Sequence, residues 1–307
     1  MQVKSKSNPI NTILITGGTG LVGMRLSELL SEMGYTITHL SRSPKKGRYP
    51  SFFWDIENKE IEYEAIKSAD AIIHLAGAGV ADKRWNEERK KDIYRSRIDS
   101  TQLLRNKVGE YNPNLRYFLS ASAIGYYGWD TGPEWVDETA PKGAGFLADV
   151  VADWEQHVAE FSTLSIPFGM VRIGVVLSER GGALVEIAKP IQLLAGAPLG
   201  SGKQFMSWIH LDDLCGIFIH MLENGIQGRV NGVAPQPVTN EAITRAIAKA
   251  LKKPLFLPNV PKFALKILVG EMADMLIGGN KVSSEKIRNL GYSFRFPDIQ
   301  EALKDLL

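Results

Sequence analysis

Residues 12–23 read TILITGGTGLVG, a β-branched run that passes through a glycine-rich turn straight into an apolar-periodic stretch. Glycine is needed where a chain turns tightly, where a pyrophosphate approaches the backbone, and where a helix packs closely on its strand. Gly18-x-Gly20-x-x-Gly23 supplies that spacing, and Gly17-x-x-Gly20-x-x-Gly23 supplies it in an overlapping register. The turn feeds a helix over 21–33, in which Leu21, Val22, Leu26, Leu29, Leu30 and Met33 share one face and Gly34 ends the run. The positive end of that helix faces any phosphate that the turn holds.

The alternation continues. Apolar runs predict strands over 35–40, 51–54, 71–75, 116–120 and 168–173, and helical spacing predicts helices over about 85–108 and 149–161. Strands separated by helices pair in parallel through right-handed crossovers. The expected fold is therefore α/β, a doubly wound parallel sheet of the Rossmann-like kind. Beyond 173 the pattern loosens into Gly- and Pro-rich loops at 181–184 and 196–202, with helices expected over 209–222, 239–251 and 263–277. This predicts a nucleotide-binding domain over 1–173, with 1–9 a flexible tail and 208–235 returning to it. A smaller C-terminal substrate lobe over 174–307 is partly interleaved with it.

Thirty-six basic against 34 acidic side chains leave a net +2 on 307 residues. That balance gives no broad field for nucleic acid or anionic lipid, so neither partner is expected. No apolar stretch approaches the roughly 18 residues that suggest a membrane span. Cys215 is the single cysteine. It cannot form an internal disulfide, which suits a reducing compartment, and its apolar neighbours make it a buried thiol. A cytoplasmic location is the expectation. The five histidines form no HExxH pattern and the lone cysteine cannot build a cage, so no metal site is expected.

The end of the second strand discriminates between cofactors. A carboxylate there would hold the ribose 2′-hydroxyl of NAD. The chain reads His39-Leu40-Ser41-Arg42, with no acid before Asp55. Arg42 can grip a 2′-phosphate in a bidentate manner, with Ser41 adding a hydroxyl, and the pattern favours NADP(H).

TGGTGLVG at 16–23, DAIIHLAG at 70–77, Ser120-Ala121-Ser122 and WIHLDD at 208–213 together resemble the extended short-chain dehydrogenase/reductases. ADKRW at 81–85, SRIDST at 96–101 and PLGSG at 198–202 resemble their atypical, epimerase-like branch, which carries a C-terminal domain of unknown function. The resemblance runs from about Thr12 to Leu307. It implies a cofactor site formed by Gly17, Thr19, Gly20, Leu21, Val22, Gly23, Ser41, Arg42, Leu75, Ala76, Gly77, Arg97, Ser120 and Ala121. Arg97 stands where the wider group usually has Asn, and reaches either the cofactor or a helix-face ion pair. Ser122 matches the serine that orients the substrate oxygen.

Two departures follow from the same match. The wider group's Tyr-x-x-x-Lys falls on Phe146-x-x-x-Val150, and neither side chain exchanges a proton. Asp149 is adjacent, but one helical step turns it about 100° away. Tyr127 is the first choice for a relocated proton donor and Tyr126 the second, with Lys142 a candidate cationic neighbour; packing is the competing role for both rings. The second departure is Met206, which stands where sugar-nucleotide enzymes carry a diphosphate-binding Arg, with Lys203 or Gln204 as possible substitutes. His210 and Asp212 are read as a helix cap and a first-turn acid. The function expected is an NADP-dependent oxidoreductase or nucleoside-diphosphate-sugar epimerase-like enzyme acting on a small molecule. The alternative is a non-catalytic NADP(H)-binding sensor or interaction protein. Oligomeric state is open.

Overall fold

The computed structural model describes residues 10–44 and 46–307; the tail expected at 1–9 lies outside the described residues. The nucleotide-binding half runs β1 (Thr12–Thr16), α1 (Leu21–Glu32), β2 (Thr36–Ser41), β3 (Ser51–Asp55), β4 (Glu60–Ile61), α2 (Tyr63–Lys67), β5 (Ala71–His74), α3 (Glu87–Tyr111), β6 (Tyr117–Ala123), α4 (Phe146–Ala159) and β7 (Phe168–Ile173). The chain continues through α5 (Ala183–Gln192), α6 (Leu211–Asn224), β8 (Gly228–Gly232), α7 (Asn240–Ala250), α8 (Lys262–Val269), α9 (Ala273–Ile277), α10 (Glu285–Asn289) and α11 (Ile299–Leu306).

Eight strands form one sheet in the order β8-β7-β6-β5-β1-β2-β3-β4. All pair in parallel except β3 with β4, which turn back on each other through Asp55. Its carboxylate accepts from the backbone of Glu57 and Asn58, a local turn that competes with continued strand. In β1, Ile13, Leu14 and Ile15 are fully buried, as a strand covered by helices on both faces requires. Strand order reverses between β1 and β5, so the loops that leave their carboxyl ends open a crevice at that switch point.

Helix α6 lies against α1, and Arg25 of α1 holds Asp212 of α6 through two bonds of 2.7 and 3.0 Å. Asp213, 1% exposed, accepts from the Tyr292 hydroxyl and from the backbone N–H groups of Arg295 and Phe296, which fastens the C-terminal segment to the sheet domain. A second core, built on Leu184, Ile191, Trp208, Ile243, Phe296 and Leu303, joins α5, α7 and α11.

Three boundaries differ from expectation for identifiable reasons. Helix α4 begins at Phe146 rather than 149, because Gly145 at φ 107° turns the chain immediately before it. Helix α6 starts at Leu211, after a short strand, Trp208–His210, that pairs in parallel with Val175–Leu177. The His210 ring caps it by accepting from the Asp212 N–H at 3.0 Å. The apolar stretch 263–277 is two helices rather than one, since Gly270 at φ 66° ends α8.

Candidate cofactor and active site

The turn after β1 shows what each glycine is for. Gly17 sits at φ 69°, and a Cβ there would meet the backbone of Leu75 and Ala76 at 2.9 Å. A Cβ on Gly23 would collide with the Gly17 carbonyl and press helix α1 off its strand. Helix α1 has no side-chain cap and no acid in its first turn. Its N–H groups therefore remain available to an anion, and Thr19 and Gly20 lie exposed at the mouth. A phosphate-bearing dinucleotide fits this cradle.

Two buried imidazoles hold the turn. The Thr16 hydroxyl accepts from the N–H groups of Leu75 and Ala76 at 3.2 and 3.1 Å and lies 2.7 Å from His74 Nδ1. Ser100 and Thr101 spend their protons on the carbonyls of Ser96 and Arg97, so each can only accept from His74 Nε2, at 3.2 Å. This fixes the proton on Nε2 and makes Nδ1 the acceptor of the Thr16 hydroxyl. Burial, with Arg97 adding repulsion, drives the His74 pKa down to about 3. His39 plays a similar part below Gly18: Ser27 donates to the Gly23 carbonyl and so accepts from His39 Nε2 at 2.8 Å. Neither histidine was singled out from sequence, although a histidine inside an apolar strand is itself a signal of a buried partner.

At the end of β2, Arg42 is exposed and makes no ion pair among the described residues. Asp55, the next acid after Arg42 along the chain, is occupied by its own turn. Ser41 accepts from the Ser43 N–H at 3.1 Å. Leu75 and Ala76 are half-buried and Gly77 is exposed beside the turn. Arg97 has no carboxylate partner among the described residues. It donates to the carbonyls of Ala78 and Ile93 and lies against the Trp154 ring, behind Gly77. Burial first, then Arg89, lowers its pKa to about 10. Ser120 is fully buried, with its hydroxyl turned onto the Ala121 carbonyl, and Ala121 is 6% exposed. Both are buried at the end of β6, and their side chains present little surface.

The expected catalytic hydroxyls are spent elsewhere. Ser122 donates to Glu155 at 2.6 Å. Glu155 receives Arg172 in a bidentate pair of 2.7 and 2.8 Å, and Arg172 is 0% exposed. Tyr127, 4% exposed, donates to Asn231 at 2.8 Å and accepts from Arg172 at 3.1 Å. Burial pushes its pKa up to about 12, against the opposing pull of Arg172. This geometry does not place Tyr127 as a proton donor, because its single proton already has a buried acceptor. Tyr126 differs. It is half-buried, its ring lies 3.5 Å from the Arg172 guanidinium, and its hydroxyl has no hydrogen bond to the described residues. The Gly143 N–H donates to the Tyr126 carbonyl at 2.9 Å, which brings Lys142 alongside. Lys142 pairs with Asp149, and that bond, followed by the charge of Asp153, raises its pKa.

Phe146 and Val150 are i and i+4 neighbours on one face of α4. They pack with Trp85, Ile93, Trp129 and Met272, an apolar cluster with the Trp85 and Phe146 rings edge to face at 5.4 Å. Met206 lies in a two-residue strand, Phe205–Met206, that pairs with Val238–Thr239. Burial pushes the Cys215 thiol up, which keeps it inert. Among the described residues no group of His, Cys, Asp or Glu side chains is placed to hold a metal ion.

The depressed histidine has a measurable consequence. His74 is neutral when folded and its pKa returns to the ordinary 6.5 on unfolding, so the unfolded state binds the extra proton. Stability is therefore complete above about pH 6.5 and falls towards pH 3, by up to about 1.4 kcal/mol per unit. His39, also lowered by burial, adds in the same direction. Urea unfolding at a series of pH values should show this slope, and His74→Gln should flatten it; an unchanged slope in the variant would remove His74 as its source.

Comparison with known proteins matches this geometry. The NAD dependent epimerase/dehydratase family model covers residues 13–234, and a domain of unknown function, DUF1731, covers 260–306. The chain is 36% identical to the chloroplastic SDR39U1 epimerase family homologue of Arabidopsis thaliana over 307 residues, 96% of this chain and 86% of that protein. The crystal structure of human epimerase family protein SDR39U1 with NADPH superposes with a TM-score of 0.85 at 32% identity, covering 96% of this chain and 98% of that one. A nucleoside-diphosphate sugar epimerase from Corynebacterium glutamicum gives 0.78 at 31% identity, covering 96% of this chain and 57% of that one. With the glycine turn, the switch-point crevice and these matches in agreement, the chain belongs to the NAD dependent epimerase/dehydratase family, with a C-terminal DUF1731 domain.

Proposed function

We propose that the chain is an NADP(H)-dependent oxidoreductase that uses Tyr126 in place of the usual Tyr-x-x-x-Lys pair. The observation that carries this reading is the contrast among three hydroxyls at and just beyond the end of β6: those of Ser122 and Tyr127 are committed to Glu155 and Asn231, and that of Tyr126 is not. The cradle supports the cofactor half. The N–H groups at the start of α1, with Thr19, Gly20, Leu21 and Val22, would take the pyrophosphate. Ser41 and Arg42 would take the 2′-phosphate, a choice favoured by the absence of a carboxylate there and by NADPH in the human relative. Leu75, Ala76 and Gly77 would line the adenosine side, with Arg97 as a cation behind them.

NADPH, when bound, supplies the hydride. The chain's own part is to hold the substrate carbonyl against Tyr126, whose hydroxyl gives the oxygen its proton. Arg172, stacked on the ring and tied to Glu155, fixes the orientation of the phenol. Lys142 places a positive charge beside it. The aromatic and apolar cluster around Phe146 excludes water from the same side. A small carbonyl compound or the corresponding alcohol suits this site better than a diphosphate-linked sugar, since Met206 offers no charge to a diphosphate.

A second reading is a non-catalytic NADP(H)-responsive protein. It is favoured by the Ser122–Glu155 bond, which removes the serine that orients substrate in related enzymes. The two readings part on one measurement, NADPH oxidation against a panel of aldehydes and ketones. Under the enzyme reading, Tyr126→Phe lowers turnover about 100-fold or more, with NADPH affinity retained. Tyr127→Phe instead lowers stability and leaves turnover within a few-fold. Equal loss in both variants, or none in Tyr126→Phe, contradicts the assignment. Arg42→Ala should weaken NADPH by roughly 10- to 100-fold and leave NADH unchanged, as measured by titration; equal weakening of both cofactors would move the 2′-phosphate elsewhere.

A further inference from the structure

Helix α8 is turned inside out. A surface helix normally buries its apolar stripe and shows charge to water. Here Leu265 is the buried residue, and Phe263, Ile267 and Leu268 are 69%, 71% and 70% exposed. Phe263 and Ile267 are i and i+4 neighbours and so share one outward face. Just upstream, Phe256 and Leu257 are exposed as well. Pro254, Pro258 and Pro261 keep the intervening chain extended, and Val260 anchors it by bridging to Leu199.

The charges in this segment have one sign. Lys252, Lys253, Lys262 and Lys266 are all exposed, and no acid occurs from 252 to 270. The first acids after it, Glu271 and Asp274, are paired with Lys90 and Lys266. With Lys266 offset by Asp274, Lys252, Lys253 and Lys262 remain as three positive charges with no acid among them, so the even overall balance conceals a local basic and apolar surface.

We propose that this segment docks the protein onto an anionic phospholipid surface, with α8 lying in the plane of the interface. The exposed apolar side chains enter the boundary between headgroups and acyl chains, and the lysines meet the lipid phosphates. Charge decides between this occupant and a second copy of the chain, because two such segments face to face would repel. Among the described residues no helix is long and apolar enough to cross a membrane. The docked face also adjoins the loop after β5: a Cβ on Gly270 would come within 2.8 Å of Arg84.

Vesicle flotation of the full chain tests the proposal, using phosphatidylcholine alone and phosphatidylcholine with phosphatidylglycerol at roughly 7:3. The chain should float with the anionic vesicles and not with the neutral ones. Phe263→Ser with Ile267→Ser should abolish flotation, and Lys252→Gln with Lys253→Gln should weaken it about five-fold per lysine. Melting temperatures should stay unchanged, since these side chains are exposed; the lysine pair, which lies off the helix, keeps the test valid if the helix variant melts early. Absence of binding to anionic vesicles, equal binding to neutral ones, or a dimer dissolved by the helix substitutions would each overturn the proposal.

Discussion

The ion pair between Glu155 and Arg172 organises the chemical end of this protein. It lies in the interior, where neither charge can be hydrated, and each carboxylate oxygen takes one guanidinium N–H. Around it are gathered the hydroxyls that sequence comparison would make catalytic. Ser122 gives its proton to the carboxylate, Tyr127 receives one from the guanidinium, and Tyr126 lies flat against it. Removing one partner from such a pair costs about 3–5 kcal/mol because the other charge is left uncompensated. The network is thus self-enforcing, and neither Ser122 nor Tyr127 can turn towards a substrate without disrupting it.

The cofactor side depends on a different device. There the work is done by neutral, buried imidazoles, His74 bonded at both ring nitrogens and His39 at Nε2, rather than by charge. His74 spans β5 and α3 and receives the Thr16 hydroxyl, so the turn after β1 and the loop after β5 are held in one geometry. With no capping side chain and no acid in its first turn, helix α1 keeps its dipole for a ligand. Cradle and chemistry are built independently, and the cradle can survive changes in the residues that act on substrate.

Much of the fold was legible because local pattern and tertiary demand agree. TILIT and AIIH are short, β-branched and buried on both faces, and both appear as parallel strands at the centre of the sheet. Gly145 sits just ahead of the helix boundary that sequence misplaced; its positive φ starts α4 three residues early. The apolar Phe146 and Val150 were readable, but the Glu155–Arg172 network was not. Its two signals were present. Glu155 lies on the buried stripe with Val151, Trp154 and Val158, and Arg172 interrupts the apolar strand FGMVRI. Each charge looks anomalous alone, and only the packing of α4 on β7 shows that they answer each other. Sequence places Tyr127 ahead of Tyr126, but adjacent residues in a turn point into different surroundings, and burial rather than spacing separates them.

The most direct test of this account is a crystal structure of the chain with NADPH bound. The account predicts the nicotinamide ring facing the Tyr126 hydroxyl, the 2′-phosphate on Arg42, and the Ser122–Glu155 bond intact. A structure in which Ser122 or Tyr127 has left its buried partner and turned onto the nicotinamide would contradict it.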